Sequence, residues 1–127
     1  MKIYILKIIF YFSTLLLIIF SLLPGSITGL FFHGDIHYND NGIYSIETTI
    51  NHFISYIYLS MLGLYTYLNQ QNFKEVLFFI LVLSIILELL QYFIPNRSFE
   101  ILDLLANIMG VAIGYFIIRF YKSRKIK

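Results

Sequence analysis

From Ile8 to Leu23 the chain carries no charged residue, only Ser13, Thr14 and Ser21 among aliphatic and aromatic side chains. With Ile3 to Leu6 the run reaches membrane-spanning length. A backbone in hydrocarbon must satisfy its own polar groups, and an unalternating apolar run does so as an α-helix. Three further apolar segments follow: Asn51 to Leu68, Phe73 to Ile94 and Ile101 to Tyr121. The link Asn69-Gln70-Gln71-Asn72 separates the first two, and Pro95 breaks the chain before the last. These segments predict an all-α membrane protein, a four-transmembrane-helix bundle with helices over residues 3–23, 51–68, 73–94 and 101–121. A single domain is expected over 1–127, with an outer loop at 24–50 that holds the turn signal Asn39-Asp40-Asn41-Gly42. The second segment carries Tyr and Ser throughout, which predicts a helix shielded by its neighbours. Ser26, Thr28 and Gly29 after the first run also fit a secretory signal peptide. The run is long and lacks a small-x-small cleavage site, so a retained anchor is expected.

Lys2, Lys7, Lys74, Arg119, Lys122, Arg124, Lys125 and Lys127 fall on one side of this four-span arrangement, and only Arg97 falls on the other. Positive flanks stay cytoplasmic, so both termini are expected there. The loop and the Pro95 to Glu100 turn then face outward. The 59% hydrophobic content, only 13% of residues charged, makes the lipid bilayer the first partner. Nucleic acid is excluded, because the basic residues gather at the chain ends rather than forming a surface. Cysteine is absent, which removes disulfides, thiolate nucleophiles and cysteine metal sites.

Polar residues interrupt the last two apolar segments where a bilayer disfavours them. Glu88 lies about 10 Å below the outer boundary and Asn107 about 9 Å below it, at 1.5 Å of rise per residue. Asp103, Asn107, Gly110 and Gly114 form one stripe on the fourth helix. Glu88 and Gln91 share a face of the third, and His52 and Tyr56 align on the second. Ionisable groups at such depth face a bundle interior or a cavity, so a shared, outward-opening pocket is expected. Its chemistry is two carboxylates, an imidazole, two amides and the planar cation of Arg97, which suits phosphate or carboxylate. Glu88, Asp103 and His52 are the candidate catalytic groups. Arg97, Gln91, Asn107 and Tyr56 are the candidate ligand-binding ones.

The run E-x-x-Q-x-x-x-P-x-R followed by D-x-x-x-N-x-x-G-x-x-x-G, here Glu88, Gln91, Pro95, Arg97, Asp103, Asn107, Gly110 and Gly114, resembles the VanZ-like family. His52-Phe53 fits the same pattern. The resemblance implies a small bacterial multi-pass protein of the cytoplasmic membrane with a cell-envelope role; some members are linked to teicoplanin resistance. The chain departs from the pattern at Thr48-Thr49-Ile50-Asn51, where family members often carry a lysine.

Two functions compete. In one, the pocket takes the polar head of an amphiphile, such as a lipid-linked phosphate or a lipoglycopeptide. In the other, the polar cluster only holds the helices together, and a non-enzymatic scaffold acts through envelope partner proteins. A transporter is disfavoured, because the cytoplasmic halves of the last two helices hold no polar relay. No P-loop, G-x-S-x-G or H-E-x-x-H occurs, and no cofactor is expected. His33, Asp35 and His37 alternate as a metal site on an extended strand would require, but lack a defined fourth ligand, and a solvated loop is the simpler reading.

Overall fold

The computed structural model describes residues 2–24, 34, 43–95 and 97–125. Among them the chain forms four α-helices and no strand: α1 Lys2–Leu22, α2 Ile43–Thr66, α3 Phe73–Gln91 and α4 Ile101–Lys125. Two helices are long and apolar enough to cross a membrane, Ile3–Leu22 with a mean hydropathy of 2.4 and Ile101–Arg124 with 2.1. Every window of comparable length in α3 takes in Lys74, Glu75 and Glu88. α2 is diluted by its Tyr, Ser and Thr side chains.

α2 is the hub. Its Tyr56 and Leu59 meet Phe10 of α1, Ile80 of α3 and Val111 of α4 in one buried cluster. A second cluster, Leu64 and Leu68 with Ile118, closes the far end. Glycines set how closely the helices approach. A Cβ on Gly63 would lie 2.6 Å from the Phe10 ring and 3.1 Å from Ile80, so α1 and α3 both press on α2 there. A Cβ on Gly110 would lie 2.6 Å from the backbone oxygen of Phe53, which brings α4 against the α2 backbone itself. Gly114 continues this contact against Ser60 one turn further along. The stripe of small residues on the fourth helix is thus a packing seam, in which absent side chains let backbones touch.

Three boundaries differ from expectation by three residues or more, and one of them is the end of α4, which runs on to Lys125 rather than 121. α2 begins at Ile43 rather than at residue 51, so the stretch expected as the end of a loop is helical. The polarity of Thr48 and Thr49 marks an inward face rather than solvent: Thr48 is buried, and Thr49 donates a hydrogen bond to Asp103. Ile46, Ile50 and Ile54, spaced by four, form the exposed apolar face of the same turns. α3 ends at Gln91 rather than 94. The chain tightens there, with Phe93 N donating to Leu90 O (3.0 Å) and Ile94 N to Gln91 O (3.1 Å). Pro95 disfavours α geometry at the preceding residue.

At the opposite end from this turn, basic and aromatic groups interlock. Lys122 Nζ donates to Leu68 O (2.9 Å), satisfying a carbonyl just past the end of α2. Lys7 lies 4.9 Å from the centre of the Tyr67 ring, whose hydroxyl pairs with that of Tyr11 at 2.8 Å.

Candidate functional site

The α3–α4 turn and the first half of α2 bring polar side chains to one end of the bundle. Glu88 and Gln91 come from the end of α3, Asp103 from the first turn of α4 and Asn107 from the next. α2 adds Thr48, Thr49, His52 and Tyr56 at helical spacing. Glu88, Asn107, Gln91 and Asp103 are all 4% exposed or less, so these groups are turned into the bundle rather than towards water.

The bonds give the layer its direction. Glu88 Oε1 accepts the Glu100 backbone N–H (3.4 Å), one of the amides that the start of α4 leaves without a helical partner. The carboxylate also faces the positive end of that helix. Glu88 Oε2 accepts from Asn107 Nδ2 (3.2 Å). Asn107 Oδ1 in turn lies 3.0 Å from His52 Nδ1. Only an Asn107 amide nitrogen facing the carboxylate and an imidazole N–H facing the amide oxygen lets both bonds form with Glu88 ionised. With Glu88 ionised, His52 Nδ1 carries hydrogen; Nε2 is turned towards Asp103, whose Oδ2 is 3.9 Å away. Asp103 Oδ1 accepts from the Thr49 hydroxyl. The two acids, the imidazole, the amide and Thr49 thus form one connected layer across three helices.

A cavity of about 480 Å³ lies beside the layer, between α1 and α2, within the usual range of ligand sites, about 300–1,000 Å³. Leu16, Leu17, Phe20 and Leu59 supply apolar walls, while Ser13, Ser21, Asn51, Ser55, His52, Tyr56 and Arg97 supply polar ones. Of the predicted site residues, three line it: His52, Tyr56 and Arg97. Glu88, Gln91, Asp103 and Asn107 lie behind this wall, so His52 alone belongs to both layer and cavity. The expectation of one pocket holding all seven is replaced by two adjoining compartments. Polar residues at one depth on three helices fill the bundle interior, whereas the space opens on the α1 side.

Arg97 does not pair with the carboxylates. Its Nε donates to Leu23 O (3.3 Å) and its Nη2 to Phe20 O (3.3 Å). In a continuing helix Phe20 O would accept the amide of the residue four positions on, which is Pro24 and has no N–H. Arg97 supplies the missing donor and adds a cation at the negative end of α1. Ser13 and Tyr58 hydroxyls meet across the same gap at 3.2 Å.

Among the described residues, two buried side-chain polar atoms have no hydrogen-bond partner, Tyr56 Oη and Gln91 Nε2. Tyr56 is 2% exposed yet lines the cavity. Replacing it with Phe keeps the ring and removes an unsatisfied hydroxyl, so Tyr56→Phe is expected to hold or raise thermal stability, by up to about 1 kcal/mol. Differential scanning fluorimetry in detergent reads the shift, and a loss above 1 kcal/mol would mean that the hydroxyl is satisfied within the fold.

His33, Asp35 and His37 lie outside the described residues; among the described ones no group of three or more His, Asp or Glu side chains is placed to hold a metal ion. The pattern on the last two helices was visible in the sequence. Thr49 was not singled out, although its spacing of three from His52 places it on the same face. The cavity residues of α1, Ser13 and Ser21, read only as minor interruptions of an apolar run.

Two helices apolar enough to cross a bilayer, a buried polar layer and a cavity at its edge belong to an all-helical protein with a candidate ligand site at one end. The chain belongs to the VanZ/LLP1 family, whose model matches residues 3–122 and so covers nearly its whole length. The resemblance carried by Glu88 to Gly114 is borne out at the level of the family. No curated protein and no solved structure matches the chain.

Proposed function

We propose that this protein acts in the bacterial cell envelope as a multi-pass protein of the cytoplasmic membrane, and that its α1–α2 cavity receives the polar head of an amphiphile. All four helices cross the bilayer in this reading, as one domain with both termini cytoplasmic and the Glu88 layer near the outer face. The uneven distribution of Lys and Arg supports that orientation. Membership of the VanZ/LLP1 family supports the envelope role and a contribution to teicoplanin resistance.

The observation that supports the reading is a cavity of about 480 Å³ with leucine and phenylalanine walls on α1, whose lining holds, among the described residues, one fixed cation, Arg97. Arg97 holds the head group, and His52 is the route by which Glu88 and Asp103 exchange a proton with whatever occupies the cavity. Asn107 orients Glu88 rather than touching the ligand, and Gln91 lies behind the same wall.

Ser55 lines the cavity and is exposed, so Ser55→Trp fills the space without disturbing the layer. Cells expressing the protein are expected to show reduced susceptibility to teicoplanin, and Ser55→Trp to abolish that difference at an unchanged membrane level of protein. Full protection by Ser55→Trp would end the cavity reading.

The mutual bonding of His52, Asn107, Glu88 and Asp103 favours a second reading. Here the layer serves as interhelical glue, and the protein is a scaffold for envelope partners. That reading expects Glu88→Gln and Asp103→Asn to reduce stability and protection in proportion. Protection lost at an unchanged melting temperature would exclude it.

A further inference from the structure

The C-terminal end of α1 and the cavity share one cation. Among the described residues lining the cavity, Arg97 alone carries a fixed positive charge, and it is engaged with two carbonyls, Phe20 O and Leu23 O. Neither carbonyl is a full charge, and both bonds lie at the long end of the hydrogen-bond range. A phosphate oxygen offers Arg a planar, bidentate, charge-assisted pair, roughly twice as strong as a bond to a neutral acceptor. An anion entering the cavity therefore competes with α1 for the same guanidinium. When it wins, Phe20 O has no helical donor to return to, because Pro24 occupies the position that would supply one.

We propose that the cavity takes an amphiphile with a phosphate head, and that the phosphate binds by taking Arg97 away from the end of α1, so that ligand binding releases that end from the α3–α4 turn. This rests on the cavity reading above and adds to it a ligand charge and a moving part. Leu16, Leu17 and Phe20 give the first carbons of the chain an apolar wall. Serine and asparagine along the wall add neutral donors, so sign selectivity falls to Arg97.

The sequence has no cysteine, so Leu23→Cys and Tyr92→Cys, both at exposed positions, place a single pair of spin labels on α1 and on the turn after α3. In dodecyl maltoside micelles, dodecyl phosphate is expected to bind and to broaden and lengthen the distance distribution between the labels. Dodecyltrimethylammonium is expected to do neither. Arg97→Gln weakens dodecyl phosphate binding by about tenfold or more and shows the broadened distribution without any ligand; Arg97→Lys keeps the charge and falls between the two. Inorganic phosphate is run alone as a further arm. The same broadening means that the anion suffices, and broadening by dodecyl phosphate only means that a lipid head group is the ligand; both agree with the exchange. Dodecyl phosphate that binds with an unchanged distance distribution overturns the exchange, as does equal affinity in Arg97→Gln. In either case block of binding by Ser55→Trp leaves the cavity reading standing. Equal binding by Ser55→Trp removes the cavity reading and the exchange together.

Discussion

Gly110→Ala is expected to be among the most destabilising single substitutions in the protein, lowering stability by about 2–3 kcal/mol. The added methyl would meet the Phe53 carbonyl at 2.6 Å, and a backbone atom in a helix cannot rotate aside. The α2–α4 seam must open along its length, pulling Asp103 and Asn107 away from Thr49 and His52. Gly114 offers an informative contrast, since its nearest obstruction is the Ser60 hydroxyl, ahead of Ser60 Cβ at 2.9 Å. Gly114→Ala should cost less, and part of the loss should return when Ser60→Ala is added, whereas no side-chain truncation on α2 restores Gly110→Ala. Unfolding of the purified protein in mixed micelles, followed by circular dichroism, gives the ranking. If Gly110→Ala unfolds like wild type, the helices are not held at backbone contact.

Removing the Glu88 side chain is expected to have an effect of similar size through a different cause. In Glu88→Ala the Glu100 amide, the Asn107 amide nitrogen and the His52–Asn107 pair lose the acceptor that organises them. Each buried donor left unsatisfied costs about 1–3 kcal/mol, and the vacated volume adds to this. A total near 3 kcal/mol follows, because the groups share one site and relax together. Glu88→Gln keeps the shape and one carbonyl acceptor, so about 1 kcal/mol is expected. The comparison separates the layer's structural part from any proton-carrying one. A Glu88→Gln protein that folds almost normally but protects no cells points to the carboxylate's charge. Glu88→Ala with wild-type stability would show that the layer does not hold α2, α3 and α4 together.

Much of this arrangement is legible in the sequence, because helical spacing is a local property. Glu88 with Gln91, and Asp103 with Asn107, Gly110 and Gly114, share helix faces by arithmetic alone, and their depth follows from the distance to Pro95. Three features depended on contacts between distant residues. The partner of Arg97 lies 77 positions away, and only Pro24, four residues after Phe20, hints that a donor is wanted there. The start of α2 was masked by polarity, since Thr48 and Thr49 look like loop residues until Asp103 is placed opposite them. The separation of the cavity from the acids depends on where α1 packs, and an almost uniformly apolar helix carries little pattern to say which face turns inward.

That uniformity has a consequence for how the protein is made. α1 leaves the ribosome first, yet the residues it packs on, Gly63 of α2 and Ile80 of α3, are synthesised much later. In the four-span arrangement proposed above, α1 rests in lipid as a solitary helix until they arrive, and its most apolar stretch remains only 11% buried even in the finished bundle. It carries no charged group between Ile8 and Leu23, only the hydroxyls of Ser13, Thr14 and Ser21 beside the Tyr11 phenol, which suits such a wait. In that arrangement Glu88 and His52 enter the bilayer before Asn107 of α4, the partner they share, and wait for it beside α1.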